Sequence, residues 1–283
     1  DYHKTFKAYL EAKKSFFDSL SGRAWALTNL DDPNGPIMVQ STAARPTATY
    51  SLRNDADFRV QVVENRLDGM LLDFNGKEVE TMFVGRFNAS NLAAVYGAGI
   101  LSGFDADEVL KAISAMTPVA GRFQPFRSPQ GVTAIVDYAH TPDALENVLS
   151  TINEIMAGKG RIITVCGCGG DRDKGKRALM AAVAARLSQV VVITSDNPRS
   201  EDPKAIADDM LAGVTDPCMR ARIIVNLDRR EAIRTAAALA APGDLILIAG
   251  KGHETYQICG GETRHFDDRE EIAQALGIDS CKL

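Results

Sequence analysis

Four short clusters in the second half of the chain hold side chains suited to a charged small molecule. They are Asp137-Tyr138-Ala139-His140, Asp171-Arg172, Asp196-Asn197-Pro198-Arg199 and Gly250-Lys251-Gly252-His253-Glu254. Arg172 and Arg199 offer guanidinium forks for carboxylates. Glu254 offers a carboxylate for an ammonium group, and the glycines offer bare amides. Such a set fits an amphoteric ligand. Each cluster also has a plainer reading. Turn chemistry alone accounts for Asp196-Asn197-Pro198. His140 and His253 suit hydrogen bonding at a helix start, Arg122 a salt bridge at a domain boundary, and Glu254 a helix cap.

The stretch Arg161–Arg177, RIITVCGCGGDRDKGKR, joins these clusters. An apolar β-branched run leads into Gly167, Gly169 and Gly170, which let the backbone turn sharply and approach a ligand. Asp171, Arg172, Asp173, Lys174, Lys176 and Arg177 then precede a helical run, and a helix start among cations favours an anion. Gly170–Lys176 fits G-x-x-x-x-G-K, but Arg177 stands where a P-loop needs a Ser or Thr hydroxyl for Mg²⁺. The pattern G-x-G-x-x-G is absent, because Asp171 and Arg172 follow the last glycine. An ordinary βα crossover with a solvated basic face is the alternative.

The elements that position these groups follow from periodicity. Residues VTAIVDY, RIITVC, VVVITS, RIIVNL and DLILIA read as strands, with helices beginning near Pro142, Lys176, Pro203, Asp228 and Asp267. Strands alternating with helices predict βαβ units, and one parallel sheet would bring the clusters to its carboxyl edge. The pattern changes at Thr117–Arg122, so two domains are expected, 1–118 and 119–283. The first opens with an amphipathic helix over 4–20, its apolar positions Phe6, Tyr9, Leu10, Phe16, Phe17 and Leu20. RAWALTN, PIMVQ, TATYSL and FRVQVVENR read as short, partly antiparallel strands, and Asn75-Gly76 as a hairpin turn. Asn88 is expected to cap a helix carrying Leu92, Val95, Tyr96 and Ile100 inward. Asn91, one turn on, has a carboxamide able to read a base edge or merely cap. Asp105-Glu108 and Asp228-Glu231 are capping pairs, and Gly260-Gly261 turns a last hairpin.

Composition sets limits. The 283 residues are 45% apolar and 24% charged, with net charge −5 and no long basic run. That argues against generic binding of nucleic acid or an anionic membrane. No apolar stretch reaches the ~20 residues that span a bilayer. Cys166, Cys168, Cys218, Cys259 and Cys281 are odd in number and lack zinc spacing, so they read as free, mostly buried thiols in a reducing cytoplasm. The chain opens at Asp1-Tyr2-His3 without Met and reads as cut from something longer.

Taken together the motifs resemble the Mur ligase family. Asp137-Tyr138-Ala139-His140-Thr141-Pro142 is similar to the signature opening the family's C-terminal domain. Gly169–Arg177 and Gly250–Glu254 resemble members that add the third amino acid to UDP-N-acetylmuramoyl-L-alanyl-D-glutamate. Asp196-Asn197-Pro198-Arg199 matches those adding meso-diaminopimelate. The resemblance covers nearly the whole chain. It implies an α/β fold: part of a central ATP-binding domain with a small antiparallel sheet, then a Rossmann-like C-terminal domain with a mostly parallel sheet.

By the same resemblance Arg172, Asp196, Asn197, Arg199, Gly250 and Glu254 would hold the amino acid, Glu254 at its distal ammonium. Asn88, Asn91, Asp137 and His140 would contact ATP, with Arg122 at its phosphates. Lys13 would be carbamylated and hold Mg²⁺, since a hard cation prefers oxygen, with Lys14 disfavouring a charged Lys13 amine. The implied reaction is ATP-dependent amide formation through an acyl phosphate in a cytoplasmic enzyme, monomeric when intact. The family's UDP-binding domain and its GTNGKT-type P-loop are not in this sequence, so the piece alone is expected not to turn over ATP. Three rivals stand: a module that binds the amino acid only, an unrelated nucleotide-binding protein using Gly170–Arg177, and a folylpolyglutamate synthase-like ligase, against which the Asn197 and Arg199 pair argues.

Overall fold

The structure is a computed structural model and describes residues 5–278. The chain divides into two compact units, Asp1–Thr117 and Pro118–Leu283.

The first unit holds α1 (Phe6–Asp18), β1 (Ala26–Asn29), α2 (Gly35–Val39), β2 (Thr47–Ser51), β3 (Phe58–Arg66), β4 (Gly69–Phe74), β5 (Lys77–Thr81), α3 (Arg86–Leu101) and α4 (Ala106–Ala115). Its sheet runs β1-β2-β3-β4-β5, parallel from β1 to β3 and antiparallel from β3 to β5. Val60, Met70, Leu72 and Phe74 pack against Leu92, Ala93 and Tyr96 of α3 and Leu110 and Ile113 of α4. Asn75 and Gly76 both take positive φ, 51° and 91°, as the hairpin turn between β4 and β5 requires.

Several local expectations change here. PIMVQ forms α2, not a strand. Pro36 lies in its first turn, where a missing N–H costs nothing, and Asp32 accepts the Asn34 amide just ahead of it. Asn88 is not the cap of α3; Gly85 is, at φ 91°, and Asn88 lies one turn inside. Leu92 and Tyr96 face inward as expected, but Val95 is exposed. The apolar stripe of α1 meets no core: no residue of this helix is buried, and Phe6, Tyr9 and Phe16 are exposed. Asp105 caps α4 through the amides of Asp107 and Glu108.

The second unit holds β6 (Gln124–Arg127), β7 (Thr133–Asp137), α5 (Pro142–Met156), β8 (Ile162–Cys166), α6 (Gly175–Leu187), β9 (Val190–Ile193), α7 (Pro203–Leu211), α8 (Pro217–Arg220), β10 (Ile223–Val225), α9 (Arg229–Leu239), β11 (Leu245–Ala249), β12 (Tyr256–Cys259), β13 (Glu262–His265) and α10 (Asp268–Ala275). The six-stranded sheet runs β10-β9-β8-β11-β7-β6. All neighbours are parallel except β6, which pairs antiparallel with β7 at the edge. The periodicity analysis missed β6 because Pro125 interrupts it, and an edge strand is where a sheet tolerates proline. β8 and β11 are buried at every residue, as strands covered on both faces must be. Placing β11 between β7 and β8 gathers four carboxyl-end loops into one row. Pro142 occupies the first turn of α5 behind a Thr141 cap, and Asp202, Asp228 and Asp267 cap α7, α9 and α10.

Candidate functional site

The glycine loop after β8 lies directly on the segment after β9. The Gly170 amide donates to the Asn197 carbonyl at 2.9 Å. A Cβ added at Gly170 would lie 1.9 Å from the Pro198 carbonyl oxygen, so only glycine fits without displacement. Gly170→Ala is expected to push the Asn197–Arg199 segment away and destabilise the fold by roughly 1–3 kcal/mol. A thermal melt checks it; an unchanged midpoint would mean the two loops are not locked together.

The Arg199 guanidinium and the stem of Arg172 both border Gly169. A Cβ built there would be 2.9 Å from Arg199 Nη1 and 3.8 Å from Arg172 Cγ. Arg199 takes the left-handed conformation, φ 56°. Strand β12 holds it there: the Arg199 amide donates to the Ile258 carbonyl and its own carbonyl accepts from Gly260. Its Nη1 donates to the Gly170 carbonyl at 2.7 Å. Among the described residues, no carboxylate lies within ion-pair distance of Arg172 or Arg199.

The other cations of this loop each have a partner. Arg177 is 1% exposed and binds Glu201 through both Nη atoms and Asp209 through one. Lys174 pairs with Glu201, and Lys176 donates to the His140 carbonyl at 2.9 Å. The Arg177 fork, then the Asp171 amide, hold the Glu201 carboxyl down to about 2, from an ordinary 4.5. Its stabilisation is therefore complete above pH 4.5 and lost as pH falls toward 2. Glu201→Gln should flatten that acid limb in urea melts taken between pH 5 and 2. An unaltered limb would show that Glu201 does not link protonation to folding.

Glu254 and Asn197 form one network with Lys251. Asn197 is 2% exposed. Its Oδ1 accepts from Lys251 Nζ at 3.2 Å and the Ile258 amide at 2.9 Å, and its Nδ2 donates to Glu254 Oε2 at 2.9 Å. Lys251 Nζ reaches the same Oε2 at 3.2 Å. Asn197 thus supports Glu254, and little of it remains to touch a ligand directly. The residue that composition and spacing passed over is Lys251, at 0% exposure; a charge inside a glycine-rich strand end was the available signal. Gly250, φ 118°, faces Asp196: a Cβ there would lie 2.8 Å from Asp196 Oδ2.

A second group surrounds Tyr138. The Arg122 guanidinium lies 4.5 Å from its ring centroid, with the His140 and His253 rings at 4.6 and 5.0 Å. Arg122 makes this cation–π contact rather than a boundary salt bridge. His140 Nδ1 meets the Tyr138 carbonyl at 2.9 Å, so that nitrogen carries the proton and Nε2 is left as the acceptor. Asp137 is 6% exposed, and its two oxygens accept the Phe123 and Ala139 amides. Burial raises its pKa while those amides oppose the rise. The carboxylate therefore builds the loop, with little surface for a ribose.

In the first unit, Asn88 Nδ2 binds the Val84 carbonyl and its Oδ1 accepts from Asn91 Nδ2 at 3.4 Å. That leaves the exposed Asn91 with a carbonyl oxygen and one N–H, the pair that matches an adenine edge. Lys13 is exposed, its Nζ 4.8 Å from the Tyr9 ring centroid, and Lys14 pairs with Asp18. The expected influence of Lys14 on Lys13 is thus offset by Asp18. No group of three or more His, Cys, Asp or Glu able to hold a metal occurs among the described residues. Lys13 alone does not make a Mg²⁺ site. Burial pushes the Cys166 and Cys168 thiols up to about 12 and about 11, whereas Cys218, against expectation, is exposed. Cys281 lies outside the described residues. No helix among them is long and apolar enough to cross a membrane.

Family models of the Mur ligase middle domain and of the Mur ligase glutamate ligase domain match residues 1–99 and 121–252. The UDP-N-acetylmuramoyl-L-alanyl-D-glutamate--2,6-diaminopimelate ligase of Phocaeicola vulgatus is 60% identical over 96% of this chain and 56% of its own length. The ligase of the same name from Thermosynechococcus vestitus is 44% identical over 98% of this chain and 56% of its own length. The chain thus spans a little over half of the curated relatives it matches. A solved structure of a ligase of that name superposes with a TM-score of 0.62 at 39% identity, covering 98% of this chain and 57% of its own. A folylpolyglutamate synthase from Thermotoga maritima shares the fold, with a TM-score of 0.66 at 17% identity over 88% of this chain and 56% of its own. So does a MurF ligase from the same organism, solved with ADP, with a TM-score of 0.66 at 17% identity over 88% and 55%.

Proposed function

This chain belongs to the Mur ligase family, and from that premise we propose that its second unit is the amino-acid-binding half of an ATP-dependent ligase. The intact protein would add meso-diaminopimelate to UDP-N-acetylmuramoyl-L-alanyl-D-glutamate for peptidoglycan synthesis in the cytoplasm, working as a monomer. The observation that carries this reading is that Arg172 and Arg199 both border Gly169, where an added Cβ would also lie 3.7 Å from the carbonyl of Asn197, the residue bonded to Glu254. Two unpaired guanidiniums beside a carboxylate match a ligand terminus bearing both a carboxylate and an ammonium.

In the reaction, the ATP γ-phosphoryl passes to the D-glutamyl side-chain carboxylate, giving an acyl phosphate. The diaminopimelate amine attacks its carbonyl and phosphate leaves. Arg122 would lie along the phosphates and offset charge as it develops. Asn91, steadied by Asn88, would read adenine. Asp137 would shape the loop presenting His140, whose Nε2 is free to accept a hydrogen bond. Lys13 would join a Mg²⁺ site only with ligands beyond the described residues.

Calorimetry of this chain with meso-diaminopimelate and with L-lysine tests the amino-acid half. Binding of diaminopimelate at least about tenfold tighter than lysine is expected, a difference near 1.4 kcal/mol. Equal affinity for the two, or binding of neither, would refute the assignment.

A further inference from the structure

Lys251 is the least expected charge in the site. Its side chain is fully buried, yet its ammonium lies 3.2 Å from Glu254 Oε2 and 3.2 Å from Asn197 Oδ1, with the Tyr256 ring centroid 5.4 Å away. Glu254 is thus already paired internally before any ligand arrives. Its Oε2 takes bonds from both Lys251 and Asn197, while Oε1 takes none from the described residues. A ligand ammonium reaching Oε1 would therefore sit on a carboxylate whose charge is largely matched, with a second cation one carboxylate-width behind it.

We propose that Lys251 is a specificity-setting positioning residue: it holds Glu254 and Asn197 in place, and its charge disfavours a ligand end that carries an ammonium without a carboxylate. This rests on the diaminopimelate reading above and deepens it. Asn197 meets the charged groups of Lys251, Glu254 and Arg199; Asp171 acts on Arg199 and Arg229 on Asp196 through their charges. A terminus that brings ammonium and carboxylate together is neutral and satisfies the two arginines as well as Glu254. Lysine brings the ammonium alone. It leaves the guanidiniums unmatched, and the Glu254 carboxylate it meets is already bonded to the Lys251 ammonium. Discrimination built from such an opposing charge adds to discrimination built from attraction. The neutral carboxamide of Asn197 passes no charge of its own into this balance; it fixes the distance between the buried ammonium and the carboxylate.

The test is calorimetry with meso-diaminopimelate and L-lysine on the whole chain and on Lys251→Met and Lys251→Gln. The preference for diaminopimelate should fall at least about tenfold in both variants, through weaker diaminopimelate binding, stronger lysine binding or both. A role confined to folding would weaken both ligands alike and leave the ratio where it was; an unchanged ratio in a variant that retains its melting transition overturns the proposal. Where Lys251→Met does not fold, the Lys251→Met/Glu254→Gln pair removes both charges at once, a change that buried ion pairs tolerate better than the loss of one partner. Compared with Glu254→Gln alone, the pair should again show a lower ratio, and an equal ratio overturns the proposal. Wild-type chain that binds both ligands equally, or neither, defeats the diaminopimelate reading itself; a wild-type preference that survives the loss of Lys251 defeats only this inference.

Discussion

Arg199→Ala is expected to lower the affinity for meso-diaminopimelate by roughly 100-fold, about 2.7 kcal/mol, and to leave lysine within a few-fold of its starting value. Arg199 is half-buried rather than enclosed, so the low end of the cost of breaking a shielded pair applies. Its backbone does not depend on the side chain. The Ile258 carbonyl and the Gly260 amide hold residue 199 through main-chain bonds that alanine keeps. One guanidinium nitrogen is committed to the Gly170 carbonyl, which leaves the rest of the fork for a carboxylate. Arg199→Lys should recover only part of the loss, because a single ammonium cannot serve the carbonyl and a carboxylate as a fork does. Arg199→Gly is a useful control: at φ 56° it should melt higher than the alanine variant, since glycine carries no left-handed penalty, yet bind no better. Calorimetry with both amino acids reads the outcome. A loss shared equally by lysine would mean that Arg199 shapes the loop and does not contact the distal carboxylate.

The second unit was legible in the sequence because each of its parts signals locally. Apolar β-branched runs gave the five parallel strands, and Thr141-Pro142, Asp228 and Asp267 marked helix starts by chemistry that acts over three residues. A parallel sheet then forces the loops to one edge, so residues as distant as Arg172, Asn197 and Glu254 could be grouped before any coordinates. What stayed hidden depends on partners far away in the chain. Nothing within a few positions of Lys251 says that its ammonium is buried against Asn197, and nothing near Lys176 says that it will hold the His140 carbonyl. The resemblance assigned Asp137 to ATP; that the Phe123 amide, fourteen residues away, also bonds its carboxylate is not readable from spacing. In the first unit the errors have a different origin. PIMVQ is too short for periodicity to decide, and turn chemistry around Asp32 settled it as a helix. The stripe on α1 has clear amphipathic spacing, but spacing states only that a face is apolar, not what covers it.

The largest stability effect is expected at a pair the binding argument does not use. Arg229 and Asp268 are both fully buried, and the guanidinium meets the carboxylate at 2.7 and 2.8 Å through Nε and Nη2. The same guanidinium donates to the Ser195 carbonyl at 3.4 Å and the Ala249 carbonyl at 3.1 Å. Those carbonyls lie just beyond β9 and at the end of β11, where the Asp196–Arg199 and Gly250–Glu254 segments begin. Arg229 therefore joins α9, α10 and two binding loops. Arg229→Met leaves the Asp268 carboxylate buried without its partner and two carbonyls without a donor. It should cost roughly 3–5 kcal/mol, which at about 2–4 °C per kcal/mol for a unit of this size lowers the melting point by roughly 6–20 °C. Removing Asp268 as well, in Arg229→Met/Asp268→Leu, should return most of that loss, because the desolvated charge is gone and only the carbonyl bonds remain unmade. Differential scanning calorimetry of the three proteins separates the cases. A double variant no more stable than the single one would place the cost in the carbonyl bonds. It would then follow that Arg229 stabilises this edge of the sheet mainly by tying the two loops together, and that diaminopimelate affinity should fall in both variants alike.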